Sequence, residues 1–174
     1  VYQDEFSAGW VRCICQHASM TEKEREEFLE AFTEENEDTL IGFCVMGGIF
    51  SEGIDLIGNR LIGVAVVGTG IPQVNCEREI LKNYYDAKGE QGFDYAYRYP
   101  GMNKVLQSAG RVIRTKEDTG TILLMDERFV SREYQALFPR EWNDAGICAL
   151  ENVEQQIGKF WKQRERQFQK EKHK

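Results

Sequence analysis

Leu40-Ile-Gly-Phe-Cys-Val-Met46 runs directly into Gly47-Gly-Ile-Phe-Ser-Glu-Gly-Ile-Asp55, and this junction decides the fold. The first segment is nearly continuous in apolar residues over strand length. A run without polar alternation indicates a strand covered on both faces, hence a parallel sheet. In open α/β sheets the working residues sit on loops beyond the carboxyl ends of strands, so the residues after Met46 matter most. Two glycines, a hydroxyl, and Gly53 ahead of Ile54 describe a backbone that approaches something closely, with Glu52 and Asp55 as acceptors. The plainer reading of the same residues is a tight turn closed by an Asp cap.

Working outward, Leu61-Ile-Gly-Val-Ala-Val-Val67 and Thr121-Ile-Leu-Leu-Met125 repeat the apolar run. Val11-Arg-Cys-Ile-Cys-Gln16 predicts a strand feeding a helix, because Thr21-Glu-Lys-Glu24 carries the Ser/Thr-x-x-Glu capping pattern. That helix keeps Phe28, Leu29 and Phe32 on one face. Helical patterns also occupy Glu77 to Tyr85 and Asn103 to Ile113. Strand and helix alternating in this way predict a doubly wound α/β domain, a mainly parallel sheet with helices on both faces. Gly89, Gly92 and several tyrosines between Lys88 and Tyr99 predict an irregular excursion. Val153, Ile157, Phe160, Trp161, Arg164 and Phe168 fall at spacings of three and four, which predicts a C-terminal amphipathic helix packed back on the domain. The division follows as residues 1–140 for the domain and 141–174 for a basic helical extension.

The 174 residues suffice for one sizeable core. No apolar run approaches the roughly 20 residues that span a bilayer, and the N-terminus lacks the order of a signal peptide. The expected setting is cytoplasmic and bacterial, with no membrane partner. Five cysteines, at 13, 15, 44, 76 and 148, read as free buried thiols in a reducing compartment. Cys13-x-Cys15-x-His17 puts three side chains on one strand face and reads as packing; no metal site is expected. The net charge of −7 is unevenly spread: Lys159 to Lys174 carries net +5, which leaves −12 on residues 1–158. Thr21 to Asp38 concentrates the acid as a solvated helix face.

A second constellation is Gln107-Ser-Ala-Gly-Arg111-Val-Ile-Arg114. On a helix, spacings of four and three put Gln107, Arg111 and Arg114 on one face, with Val105, Val112 and Ile113 toward the core. Two guanidiniums offer forked donors suited to phosphate oxygens. The plainer reading is a solvated face.

Together these segments resemble the XPD/DinG family of superfamily 2 DNA helicases. Gly48-Ile-Phe-Ser-Glu-Gly-Ile-Asp55 is similar to that family's motif V, and Gln107-x-x-Gly-Arg111-x-x-Arg114 to its motif VI. Asp118-x-Gly120 and Asp126-Glu-Arg128-Phe129 are similar to the usual ending of the domain, and Gln16 falls in the motif IV region. The resemblance implies the second of two RecA-like domains, with ATP held between them. It implies Arg111 and Arg114 as arginine fingers at the γ-phosphate, and Gln107 orienting the phosphate or the attacking water. It implies Asp55, Gly53 and Glu52 on the nucleotide, and Ser51 and Gln16 on single-stranded DNA. The partners implied are that DNA and the N-terminal RecA-like domain of the same polypeptide.

The departures matter as much. No Gly-x-x-x-x-Gly-Lys-Ser/Thr loop occurs, so ATP and Mg²⁺ would be bound mainly by the other half, where an iron–sulfur cluster would also belong. The chain alone is expected to be inactive. Asp126-Glu127 imitates a metal-binding acidic pair, but the resemblance assigns that position elsewhere. Gly68-Thr-Gly70 follows a strand as a dinucleotide fingerprint would, yet Gln73 replaces the third glycine and Pro72 interrupts the helix. Tyr84 to Tyr99 interleaves aromatic rings with Lys82, Lys88 and Arg98, which suits stacked bases and their phosphates. Tyr95 and Tyr97 are the residues chosen there, and covering of the sheet edge is the competing account. The alternative function is a non-catalytic nucleic-acid-binding module on the same fold.

Overall fold

A computed structural model describes residues 11–50, 56 and 58–172. Ser51, Glu52, Gly53 and Asp55, expected at the nucleotide and the DNA strand, lie outside the described residues. The chain divides into two compact units at the Phe129–Val130 junction.

In the first unit, strand β1 (Val11–Cys15) is followed by helix α1 (Glu22–Glu30) and strand β2 (Thr39–Phe43), and β1 pairs with β2 in parallel. The start of α1 is fixed as its sequence predicts: the Thr21 hydroxyl accepts from the Glu24 amide at 3.3 Å, and the Glu24 carboxylate accepts from the Thr21 amide at 2.7 Å. The Thr21 amide and hydroxyl, both donating to the ionised carboxylate, hold its pKa below the ordinary value. Phe28 on the inner face of α1 stacks on Phe50 at 4.3 Å, and with Met20 these rings form a buried cluster that Ile14, Leu29 and Phe32 complete. Phe50 thereby anchors the loop that leaves β2.

A 3₁₀ turn (Gly58–Arg60) leads to strand β3 (Gly63–Val67), helix α2 (Cys76–Ala87), helix α3 (Tyr99–Ala109) and strand β4 (Thr121–Met125). β3 pairs in parallel with β4, Gly63 opposite Thr121. Each pair is parallel as the apolar runs predict, but among the described residues the strands form two separate two-stranded ladders. Apolar composition says which residues can pair and leaves the choice of neighbour to tertiary contacts.

The strands are also less covered than such runs imply. Val66 is buried, whereas Val67 is 72% and Val45 63% exposed. This apolar surface lies toward the carboxyl ends of the strands. The cysteines follow the same rule: all five are free, but Cys13 is only half-buried and the other four are exposed, because Cys15 and Cys44 sit at strand ends.

The stretch expected to be irregular is helical from residue 92 onward. A π-helical segment, Asp94–Arg98, runs directly into α3. Pro100 explains the widening, since it has no N–H to give the Ala96 carbonyl four residues back and its ring would crowd that oxygen. The Ala96 carbonyl accepts instead from Arg78 Nη1 on α2 at 2.7 Å. Met102, Val105 and Ala109 then repeat at helical spacing and are fully buried.

The second unit holds the short helix α4 (Arg132–Gln135) and helix α5 (Val153–Lys172), the amphipathic helix read from the sequence. Within it Phe138 meets Trp142 edge-on at 5.3 Å, and Phe160 meets Trp161 likewise at 5.2 Å. No described helix is long and apolar enough to cross a membrane.

Candidate nucleotide and nucleic-acid site

Helix α3 ends sooner than the arginine spacing suggests. Its last residue is Ala109, so Gln107 is helical and exposed while Arg111 and Arg114 lie beyond the helix. The Gly110 amide still donates to Leu106, but Arg111 and Val112 donate to Ser108 and Ala109, three residues back. The helix thus tightens into a 3₁₀ turn and stops where glycine and β-branched Val112, Ile113 and Thr115 lower helix propensity. Val112 is 2% exposed and plugs the turn into the core; Ile113, placed in the core by helical spacing, is 44% exposed.

Beyond that turn a carboxylate takes over from the helix. Asp118 Oδ2 accepts from the Arg114 amide at 2.9 Å and from the Thr115 amide at 2.7 Å. Its Oδ1 accepts from the Gly58 amide at 3.2 Å. Asp118 therefore ties the backbone of the arginine loop to the residues that follow the Gly48–Asp55 motif. The amides of Thr115 and Arg114, with that of Gly58, hold its carboxyl below the ordinary carboxylate range. Sequence spacing alone singled out Asp118-x-Gly120 but not this bridge. The signal was an Asp three and four residues after two amides that a helix would otherwise have used.

At the opposite end of the motif, Gln16 is half-buried at the exit of β1. Its Oε1 accepts from the Val45 amide at 2.9 Å, and its amide group stands beside Gly48. Gly47 has φ +75° and lies under the stem of Lys104: a Cβ there would come within 3.1 Å of Lys104 Cδ and Cε. Lys104 reaches this point because α3 sits directly on the loop after β3. A Cβ on Gly101 would meet the Thr69 carbonyl oxygen at 2.6 Å, and one on Gly70, at φ +65°, would meet the Gly101 carbonyl oxygen at 2.7 Å.

Tyr95 and Tyr97 come to rest differently from each other. Tyr97 is 3% exposed, its ring stacked on Phe93 at 5.4 Å and its hydroxyl donating to Glu79. A ring so enclosed offers no face to a base. Tyr95 is half-buried, stacked on Tyr85 at 3.9 Å with Tyr99 edge-on at 5.2 Å. A hydrogen bond to Glu90 and that carboxylate's charge push its pKa up to about 12.

The rival motifs resolve against their chemistry. Asp126 is forked by Arg128 at 2.8 and 2.7 Å, which lowers its pKa and occupies both oxygens. Among the described residues no cluster of three His, Cys, Asp or Glu side chains could hold a metal ion. These residues therefore do not fit a Mg²⁺ site. After Gly70 no helix begins until Cys76, capped by Asn75, so the dinucleotide fingerprint lacks its helix.

Comparison with known proteins agrees with this architecture. The chain belongs to the family described as the Helicase C-terminal domain, whose model matches residues 3–145. Within that family it is of the XPD/DinG type. It is 31% identical over 156 residues to the Regulator of telomere elongation helicase 1 homolog of Caenorhabditis elegans, covering 80% of this chain and 15% of that protein. It is 34% identical over 89 residues to the ATP-dependent DNA helicase DinG of Photobacterium profundum, covering 50% and 13% respectively. A solved XPD helicase superposes with a TM-score of 0.57 at 23% identity, over 71% of this chain and 22% of that one, which shows the fold. The chain thus spans about a seventh of the length of these curated relatives. They come from an animal and a bacterium alike, and so do not place it in bacteria.

Proposed function

We propose that this chain is the second motor half of an ATP-dependent DNA helicase, residues 1–140 forming the motor domain and 141–174 a basic helical extension. It completes an ATP site whose phosphate loop and Mg²⁺ belong to the N-terminal RecA-like half of a longer polypeptide. The observation that carries the reading is the Asp118 bridge. One carboxylate binds the backbone of the Arg114 loop and the exit of the Gly48–Asp55 motif, the two segments a nucleotide between domains would have to touch together.

In this reading Arg111 and Arg114 meet the charge that develops on the transferred γ-phosphoryl group, and Gln107 orients the attacking water. The loop is fixed through its backbone amides, and the Arg114 side chain it carries is exposed. Asp55, Gly53 and Glu52 take the nucleotide side of the motif; Ser51 and Gln16 take the side of the strand. Tyr95, half-buried, is kept on that track. Tyr97 is left out of it, because its burial assigns it to packing. The exposed apolar Met125 supplies surface for the other motor half to cover.

The test is Arg114→Ala in the full-length protein. ATP binding should stay within a few-fold while hydrolysis falls by about 10³-fold, the scale on which arginine fingers act. Retained hydrolysis would remove Arg114 from the site.

A further inference from the structure

A shallow cleft of about 470 Å³ opens at the carboxyl ends of the strands, lined by Val45, Met46, Gly68, Thr69, Lys104 and Arg128 among others. Its residues come from four places: the exit of β2, the loop after β3, the middle of α3 and the turn after β4. Neither motif V nor motif VI contributes a described charged group to it. We propose that this cleft is a binding subsite for one backbone phosphate of single-stranded DNA, with Lys104 as the residue that holds it. The proposal rests on the reading of the chain as a helicase motor half.

Three observations carry it. The first is charge. In a chain of net −7 two cations converge on one small cleft. Arg128 is committed to Asp126 through a two-bond fork, so its charge is offset within the turn after β4. Lys104 takes part in no ion pair among the described residues, and it sets the sign of the cleft.

The second is placement. The Lys104 stem lies on Gly47, whose φ of +75° and missing side chain let it pass, and α3 is held there by the Gly70–Gly101 backbone contact. A long side chain is thereby aimed by packing instead of waving in solvent, which lowers the entropy that capture of a ligand would cost. The Lys104 ammonium stands beside the start of the motif that couples nucleotide to strand in the proposed function.

The third is an unmet polar group. The Thr69 hydroxyl in the lining is buried and has no hydrogen-bond partner. Native proteins rarely leave such a group without a reason. The apolar walls, Val45, Met46 and Ile71, suit the sugar that neighbours a phosphate. A free nucleotide has phosphates of the same chemistry, and the experiment separates the two sources.

Affinity of the full-length protein for oligo-dT is measured against salt concentration for the unaltered protein, Lys104→Gln and Lys104→Arg. Lys104→Gln keeps the stem over Gly47 and removes the charge. It should lower the slope of log affinity on log salt by about 0.7, the loss of one single-strand phosphate contact, and weaken binding several-fold at low salt. Lys104→Arg should keep the slope, and the KM for ATP should stay within twofold in both. An unchanged slope in Lys104→Gln, with the unaltered protein binding normally, would overturn the subsite alone. A raised KM for ATP without a change in DNA affinity would also overturn it, by giving the phosphate to the nucleotide. If the unaltered protein bound no DNA at all, the motor reading would fall and the subsite with it.

Discussion

The arginine loop, Gly110 to Asp118, and the aromatic segment, Tyr84 to Tyr99, are read from the sequence as bearers of two different functions, and their local physics is opposite. In the loop the fastening is done by backbone amides on one carboxylate, and the side chains of Arg114, Thr115, Lys116 and Glu117 are exposed. In the aromatic segment the fastening is done by the side chains themselves. Tyr85 stacks on Tyr95, Tyr97 on Phe93, and Tyr97 bonds Glu79. Tyr97, buried and bonded to Glu79, has no face left to spend on a base. A residue type suited to a ligand therefore says less than what holds the backbone beneath it.

Substitutions can break this contrast. Tyr97→Ala should behave as a core truncation and lower the thermal midpoint of the full-length protein by about 10 °C, with DNA affinity per folded molecule unchanged. A soluble, equally stable variant with weakened DNA binding would return Tyr97 to the DNA track and erase the difference between the two regions.

Acid should release the loop while sparing the core of α3. Asp118 has its pKa lowered in the folded chain, so its stabilisation is complete above its ordinary value of 3.8 and is lost as pH falls through the lower folded value. Amide exchange at Arg114 and Thr115, corrected for intrinsic rate, should be protected at pH 5 and lose that protection below about pH 3.8. Amides of Met102 and Val105 in the core of α3 should not follow. Loss of protection in the loop and in the core of α3 together would mean that the loop is held by the fold at large and not by its carboxylate.

Much of this was legible before the structure. Thr121–Met125 forms the strand its apolar run predicts, and Thr21 and Glu24 make the reciprocal cap. Both signals are local, written in a few consecutive residues. The misreadings share the opposite property. Helix α3 stops at Ala109 because of Gly110, Val112 and an acceptor further along, although arginines at spacings of three and four imitate a helix face. The π-helical turn depends on Arg78, eighteen residues from the carbonyl it satisfies. Tyr97 is packing because Glu79, an equal distance away, receives its hydroxyl. Alternating tyrosines look the same on an open edge and in a helical turn until such partners are known.

The central claim is that Asp118 holds the loop that presents Arg114 to the nucleotide, and a double-mutant cycle on ATP hydrolysis by the full-length protein tests it most directly. Asp118→Ala should lower kcat by about 10- to 100-fold with KM for ATP within a few-fold, in proportion to lost positioning. Asp118→Asn, which keeps an acceptor, should recover part of that loss. Because Asp118 acts through Arg114, the double variant Asp118→Ala with Arg114→Ala should be no slower than Arg114→Ala alone. Full additivity of the two losses, or an unchanged kcat in Asp118→Ala, would contradict the account.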